Sequence, residues 1–166
     1  LLRILAGELE SDTGSVVAGL GLKIGYYAQE HESLDFERTI LQNMMSATKN
    51  ITETQARNVL GSFLFSGEDV DKPVKVLSGG ERTRLALAAL VVSESNVLLL
   101  DEPTNNLDPA SREEILAALA EYQGAVILVS HDEGAVQALK PDRVILLPDG
   151  DEDLWKEEYF EMVSVD

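Results

Sequence analysis

The sequence predicts an α/β fold: a mostly parallel sheet flanked by helices, interrupted by a small helical subdomain. Three observations carry that expectation. Val97–Leu100 and Ala125–Val129 are continuous apolar runs, as strands buried on both faces tend to be. The amphipathic stretch Ser111–Glu121 lies between them and Arg143–Leu147 reads as a further strand, so strand and helix alternate. Between about residues 36 and 76 the apolar spacing is helical only, which marks the inserted subdomain.

Taken in order, Leu1–Gly7 is an apolar helical pattern without a cap or an initiator Met, and reads as the middle of a helix that a C′ glycine ends. After the Ser11-Asp12-Thr13-Gly14 turn, Ser15–Ala18 and Leu22–Ala28 read as two short strands. From Thr39 to Phe65 the spacing is helical, with Gly61 as an interruption, and Asp71-Lys72-Pro73 is a break. Ser78 stands where an N-cap belongs, ahead of a helix over Glu81–Val92. These signals divide residues 1–166 into a helical subdomain over about 36–92, a core over 93–150 and an acidic tail over 151–166.

Length and composition narrow the class. A chain of 166 residues buries one substantial core. The longest apolar stretch comparable to a membrane span, Leu85–Val92, falls far short of the roughly 20 residues a bilayer needs. There are no cysteines, hence no disulfide and no thiolate metal site, which fits a reducing cytoplasm. The formal charge of −17 argues against a general nucleic-acid surface, since phosphate binding draws on Lys and Arg. The acidic cluster Asp149–Glu158 reads as a solvated tail.

Five groups of residues carry possible chemistry. Asp101 and Glu102 end the Val97–Leu100 strand, where ligands of open α/β sheets bind. Neighbours at a strand end point differently, so Asp101 can hold Mg²⁺ while Glu102 orients and deprotonates a water. Alone, such a pair is more often a helix start or a turn before Pro103. Leu77-Ser78-Gly79-Gly80-Glu81 opens a helix with uncovered N–H groups and a dipole favourable to an anion, although an isolated Ser-Gly-Gly is more often a capped turn. His131 follows the second apolar strand and can bond a phosphate or hold a water; a locally satisfied turn His is the plainer alternative. Gln29 offers a neutral amide that can reach a metal or water, although a surface glutamine is the plainer expectation. Asn105-Asn106-Leu107-Asp108-Pro109 reads first as a turn and helix cap.

The order Gln29, Ser78–Glu81, Asp101-Glu102, Asn106–Asp108, His131 resembles the ABC (ATP-binding cassette) ATPases, in which these are the Q-loop, signature, Walker B, D-loop and H-loop. The resemblance covers nearly the whole chain and implies a P-loop NTPase-like fold with ATP and Mg²⁺ as cofactors. It implies Glu102 and His131 as catalytic residues, with Asp101 and Gln29 at the metal. Gln29, Ser78, Gly79, Gly80, Glu81, Asn106 and Asp108 would be nucleotide-binding, the signature acting on the ATP of a second cassette, in cis or as a dimer. The family's G-x-x-x-x-G-K-[ST] loop does not occur in these residues. Its place would be just before Leu1, so the resemblance implies a domain cut after that loop and weak or no ATP binding by this chain alone.

Three details resemble the ABC-F branch, tandem cassettes that act on the ribosome in translation or in antibiotic resistance. They are Asn105-Asn106 before Leu107-Asp108, a signature ending in Glu81-Arg82, and a short subdomain between Gln29 and Ser78. The missing long insertion and the early end after Gly150 resemble the second of the two cassettes. Asn106 is a departure, because that branch more often has His there. Contact with ribosome or tRNA would lie in parts outside this chain, and no membrane segment lies within it. A transporter's nucleotide-binding subunit is the alternative reading, and a non-catalytic interaction domain a second alternative.

Overall fold

The computed structural model describes residues 1–28 and 33–164. Helix α1 (Leu2–Leu5) ends as its glycine foretells: Gly7 takes a φ of +80°, and the Glu8 and Gly7 amides close back on the Arg3 and Ile4 carbonyls at 2.8 and 3.1 Å. Strand β1 (Ile24–Tyr27) pairs in parallel with β2 (Val97–Asp101), and β2 pairs in parallel with β3 (Ala125–Val129), giving the order β1-β2-β3. The register sets Tyr27 beside Leu100 and Asp101 beside Val129, so the three strands finish at one rim.

Helix α2 (Ile40–Ala47) and helix α3 (Glu53–Ser62) each begin with a threonine capping box, Thr39 with Gln42 and Thr52 with Gln55. Helix α4 (Gly79–Val92) begins at Ser78, and α5 (Pro109–Ala120) begins at Asp108 with proline in its first turn. Helix α6 (Glu133–Leu139) follows β3. Ile40 and Met44 of α2, Leu60 of α3, Leu85 and Leu87 of α4, Leu98 and Leu100 of β2 and Ile115 of α5 are all buried in one cluster. The hydrophobic core therefore crosses the expected boundary near residue 92, with α4 serving both the helical stretch and the sheet. Gly25 lets the end of α4 and the turn after it approach β1, since a Cβ there would meet Leu90 Cδ2 of α4 at 3.1 Å and Ser95 Oγ at 2.8 Å.

Several expectations need correction. Ser15–Ala18 forms no strand: Val16 and Val17 are exposed and pair with nothing described. The strand expected over Leu22–Ala28 is confined to β1. Gly61 does not interrupt its helix but lies in the last turn of α3; the interruption falls at residues 48–52, where the second capping box restarts the helix. Helix α4 begins two residues before Glu81, and α5 two before Ser111, because the cap side chain and not the first apolar residue fixes a start. Strand β3 is only half-buried, and among the described residues it pairs on one edge alone.

Strand β4 (Arg143–Leu146) does not extend the parallel sheet. It pairs antiparallel with β5 (Asp151–Leu154), because the tight turn at Gly150 (φ +81°) returns the chain at once and the Gly150 amide bonds the Leu146 carbonyl at 2.7 Å. The acidic stretch from 151 is exposed, as expected of solvated charge, yet it is structured: β5 is followed by a short helix, α7 (Phe160–Val163). Trp155 meets Phe160 edge-on at 5.2 Å between ring centroids.

Asp153 organises this terminal unit, accepting from Lys156 Nζ and the Tyr159 hydroxyl, each at 2.7 Å. The bonds from Lys156 and then Tyr159 hold its carboxyl down at about 2. A carboxyl depressed in the folded state stabilises it above the ordinary carboxylate range, and that stabilisation is lost as pH falls towards the folded value. The Asp153→Asn variant is therefore expected to melt below the parent at neutral pH, with the gap closing between about pH 4 and pH 2. Thermal melts followed by Trp155 fluorescence check this; a gap independent of pH contradicts it.

Candidate functional site

Because β2 and β3 end in register, their following residues meet. Glu102 continues β2 by one residue, its amide donating to the Val129 carbonyl at 2.8 Å, and then turns sharply with a φ of +47°. A non-glycine residue in that region stores roughly 1–3 kcal/mol of strain. The turn sends the carboxylate inward: its side chain is only 10% exposed and bonds both the ring Nδ1 of His131 and, at 3.3 Å, the His131 amide. The His131 side chain is 69% exposed, so the ring anchored on Glu102 is open to its surroundings.

Asp101 stands beside this pair, half-exposed at the rim. Burial pushes the phenol of Tyr26 up and the Asp101 carboxylate adds to that shift, placing negative potential over the end of β1. Gln29 lies outside the described residues; Ala28, just before it, follows β1 at the same rim. Among the described residues no group of three or more His, Cys, Asp or Glu could hold a metal by itself. The donor set fits Mg²⁺ of the kind that binds through one or two carboxylates and completes its shell with phosphates and water.

Ser78, Gly79, Gly80 and Glu81 lie elsewhere, at the start of α4. Ser78 Oγ accepts from the Glu81 amide at 3.2 Å and donates to Glu81 Oε1 at 3.1 Å, so Glu81 orients the capping hydroxyl. The two glycines differ in their surroundings. A Cβ on Gly79 would meet nothing within 4 Å, leaving its backbone open to a ligand or another surface, whereas a Cβ on Gly80 would lie 2.8 Å from the Asn106 carbonyl oxygen. Gly80 therefore admits the 105–108 loop against the helix.

In that loop Asn106 is exposed and Leu107 is buried, anchoring the turn in the core. Asp108 caps α5 through Ser111, accepting from its amide at 3.0 Å and its hydroxyl at 2.6 Å, and those bonds hold its carboxyl below the usual range. The structure thus joins Glu102 with His131, places Asp101 next to them, and packs Asn106 on Gly80. Ser78 and Gly79 are exposed at the start of α4, and no hydrogen bond among the described residues joins them to Asp101 or Glu102.

Sequence reasoning missed a second layer behind these residues. Asp132, adjacent to His131, accepts from the Thr104 hydroxyl at 2.8 Å and caps α6 through the Gly134 amide at 2.9 Å. Arg112 of α5 stands 3.6 Å from the same carboxylate. An Asp two residues before a glycine at a helix start is a legible cap; its tie to Thr104 and Arg112 depends on packing and leaves no mark in spacing.

The chain resembles known proteins in sequence and in fold. A family model described as "ABC transporter" matches residues 1–105. The chain belongs to this family. Similar curated proteins include the putative ATP-binding protein YdiF of Bacillus subtilis (strain 168), 45% identical over 132 residues, 80% of this chain and 21% of that protein. The probable ATP-binding protein YbiT of Escherichia coli O157:H7 is 43% identical over 155 residues, 87% of this chain and 29% of that protein. ATP-binding protein Uup of Escherichia coli K12 is 40% identical over 136 residues, 80% of this chain and 21% of that protein. The chain thus spans less than a third of the length of each of these relatives. Among solved structures, the ATP-binding cassette MJ0796, a dimer bound to ADP and Pi in a post-hydrolysis state, matches with a TM-score of 0.64 at 26% identity, over 80% of this chain and 63% of that one. The α/β fold, a parallel sheet with flanking helices, is that of an ABC cassette.

The unequal glycines give a direct test. Gly80→Ala is expected to destabilise the protein by roughly 1–3 kcal/mol, because a backbone carbonyl must move. Gly79→Ala is expected to leave stability nearly unchanged. Denaturant unfolding of the two variants checks the contrast, and equal effects would contradict the packing of Asn106 on the helix.

Proposed function

We propose that this chain supplies the hydrolytic rim and the signature helix of an ABC-F type ATPase, whose ATP binding and hydrolysis drive action on the ribosome. The observation that carries the reading is the buried Glu102 carboxylate, aimed by a strained turn and held by His131 beside the rim carboxylate Asp101. That is the arrangement a water-orienting base needs: a fixed carboxylate, a second group to hold it, and a neighbouring acid for the phosphate-bound Mg²⁺. In this reading Glu102 orients and deprotonates the attacking water. His131 holds Glu102 and meets the terminal phosphate, while Asp101 and Gln29 face the metal.

Ser78 and Gly79, exposed at the helix start, and the adjoining Gly80 face the nucleotide of a second cassette, and Asn106 and Asp108 stand between the two sites. A solved dimeric relative supports the pairing. The branch rests on the Asn105-Asn106-Leu107-Asp108 loop, the Glu81-Arg82 ending and the short span before Ser78, together with relatives named ATP-binding proteins. The net charge of −17 favours placing contact with ribosome or tRNA in parts of the protein outside this chain.

In the full-length protein Glu102→Gln is expected to lower ATP turnover by about 10²–10⁴-fold, the usual contribution of a positioned base, while ATP still binds. The trapped variant is expected to cosediment with ribosomes in ATP and not in ADP. Retained turnover removes Glu102 from its role; nucleotide-independent sedimentation removes the ribosome.

A further inference from the structure

The interactions behind the rim converge on one side chain that the reaction does not otherwise use. Arg112 lies in the first turn of α5, four residues after its cap, and its guanidinium folds back over that turn. Its Nη2 donates to the Leu107 carbonyl at 3.4 Å, and its Nε lies 3.6 Å from Asp132 Oδ2. The Nε is buried and makes no hydrogen bond. Asp132 Oδ2 already accepts from Thr104 at 2.8 Å, and the side chain is only 17% exposed. Asp132 is covalently next to His131, and Thr104 is two residues beyond Glu102.

We propose that Arg112 is a positioning residue that ties the Asn106–Asp108 loop to the segment carrying His131. The inference rests on the ATPase reading given above and adds a residue to it. The contact runs from Gly80 to the Asn106 backbone, from Leu107 to Arg112, and from Arg112 through Asp132 to the neighbours of Glu102 and His131. An ordinary structural ion pair would be closed, with its donors satisfied. This one is open by a few tenths of an ångström beyond hydrogen-bond length, and its buried Nε lacks a partner, which costs free energy until the gap closes. A small inward shift of the exposed 105–108 loop, such as a second cassette pressing on Asn106 would cause, brings Nε to Asp132 and fixes the His131 segment. In this proposal Arg112 acts through the loop and through Asp132.

The test uses the full-length protein, with wild-type turnover measured first. Absence of turnover in the wild type overturns the ATPase reading itself and is thereby distinguished from failure of this inference. Arg112→Ala is expected to lower kcat by about tenfold, with KM for ATP changed less than twofold, as coupling through a packed network permits. Arg112→Lys keeps the charge and should restore part of the loss. Asp132→Asn, which keeps the Gly134 bond through its one amide oxygen and turns its NH2 towards the Thr104 hydroxyl, which then accepts, should lower kcat alike. The double variant should fall no further than either single one, because both remove the same link. Unfolding midpoints are compared throughout, and if Arg112→Ala fails to fold, Arg112→Lys and Asp132→Asn with their double variant decide the matter. Unchanged kcat in these variants, losses that multiply in the double variant, or a rise in KM with kcat preserved overturns the proposal.

Discussion

The site depends on one carboxylate that two strands share. β2 and β3 end in register, and the Glu102 amide extends their ladder by one further bond to Val129. Only after that bond does the chain break into the left-handed region, and the break turns the Glu102 side chain across the rim to His131. Had β2 continued straight, alternation would have sent Glu102 to the opposite face from Asp101 with no partner at the rim. The strain of that turn is held by what surrounds it: the ladder on one side, the His131 amide on another and the buried Thr104 behind.

The second half of the arrangement is a helix start kept bare. Ser78 caps α4 and Glu81 fixes the capping hydroxyl, so the first turn is organised by side chains while the backbone at Gly79 stays open. Gly80 has the opposite task, admitting the Asn106 carbonyl. Adjacent glycines thus divide the labour between an outward face and an inward packing surface. Through that packing, the loop that follows the carboxylates touches the start of α4.

Much of this was legible in the sequence because it rests on local chemistry. The capping side chains of Ser78 and Asp108, the apolar runs at Val97 and Ala125 and the positive φ of Gly7 are each written in a few neighbouring residues. What stayed hidden depended on distant partners. Ser15–Ala18 has the composition of a strand but finds no neighbour among the described residues, and composition alone cannot supply one. Arg143–Leu147 was legible as a strand, yet the choice between a parallel neighbour and its own hairpin was made by the Gly150 turn. The link from Glu102 to His131 follows from strand register, and that from Asp132 to Arg112 from helix packing; neither has a spacing to read.

The hydrogen bond between Glu102 and the His131 ring carries the whole account, and nitrogen NMR of the histidine ring reads it directly. A carboxylate acceptor at Nδ1 holds the proton there, so neutral His131 should be the Nδ1–H form, whereas Glu102→Gln should return the ring towards the mixture of a free histidine. With only His31 as a second histidine, a His31→Gln variant assigns the signal. An Nδ1–H ring that responds to the substitution at Glu102 is the predicted result. A ring protonated at Nε2 in both proteins would mean that the two residues do not meet, and the site as described here would not exist.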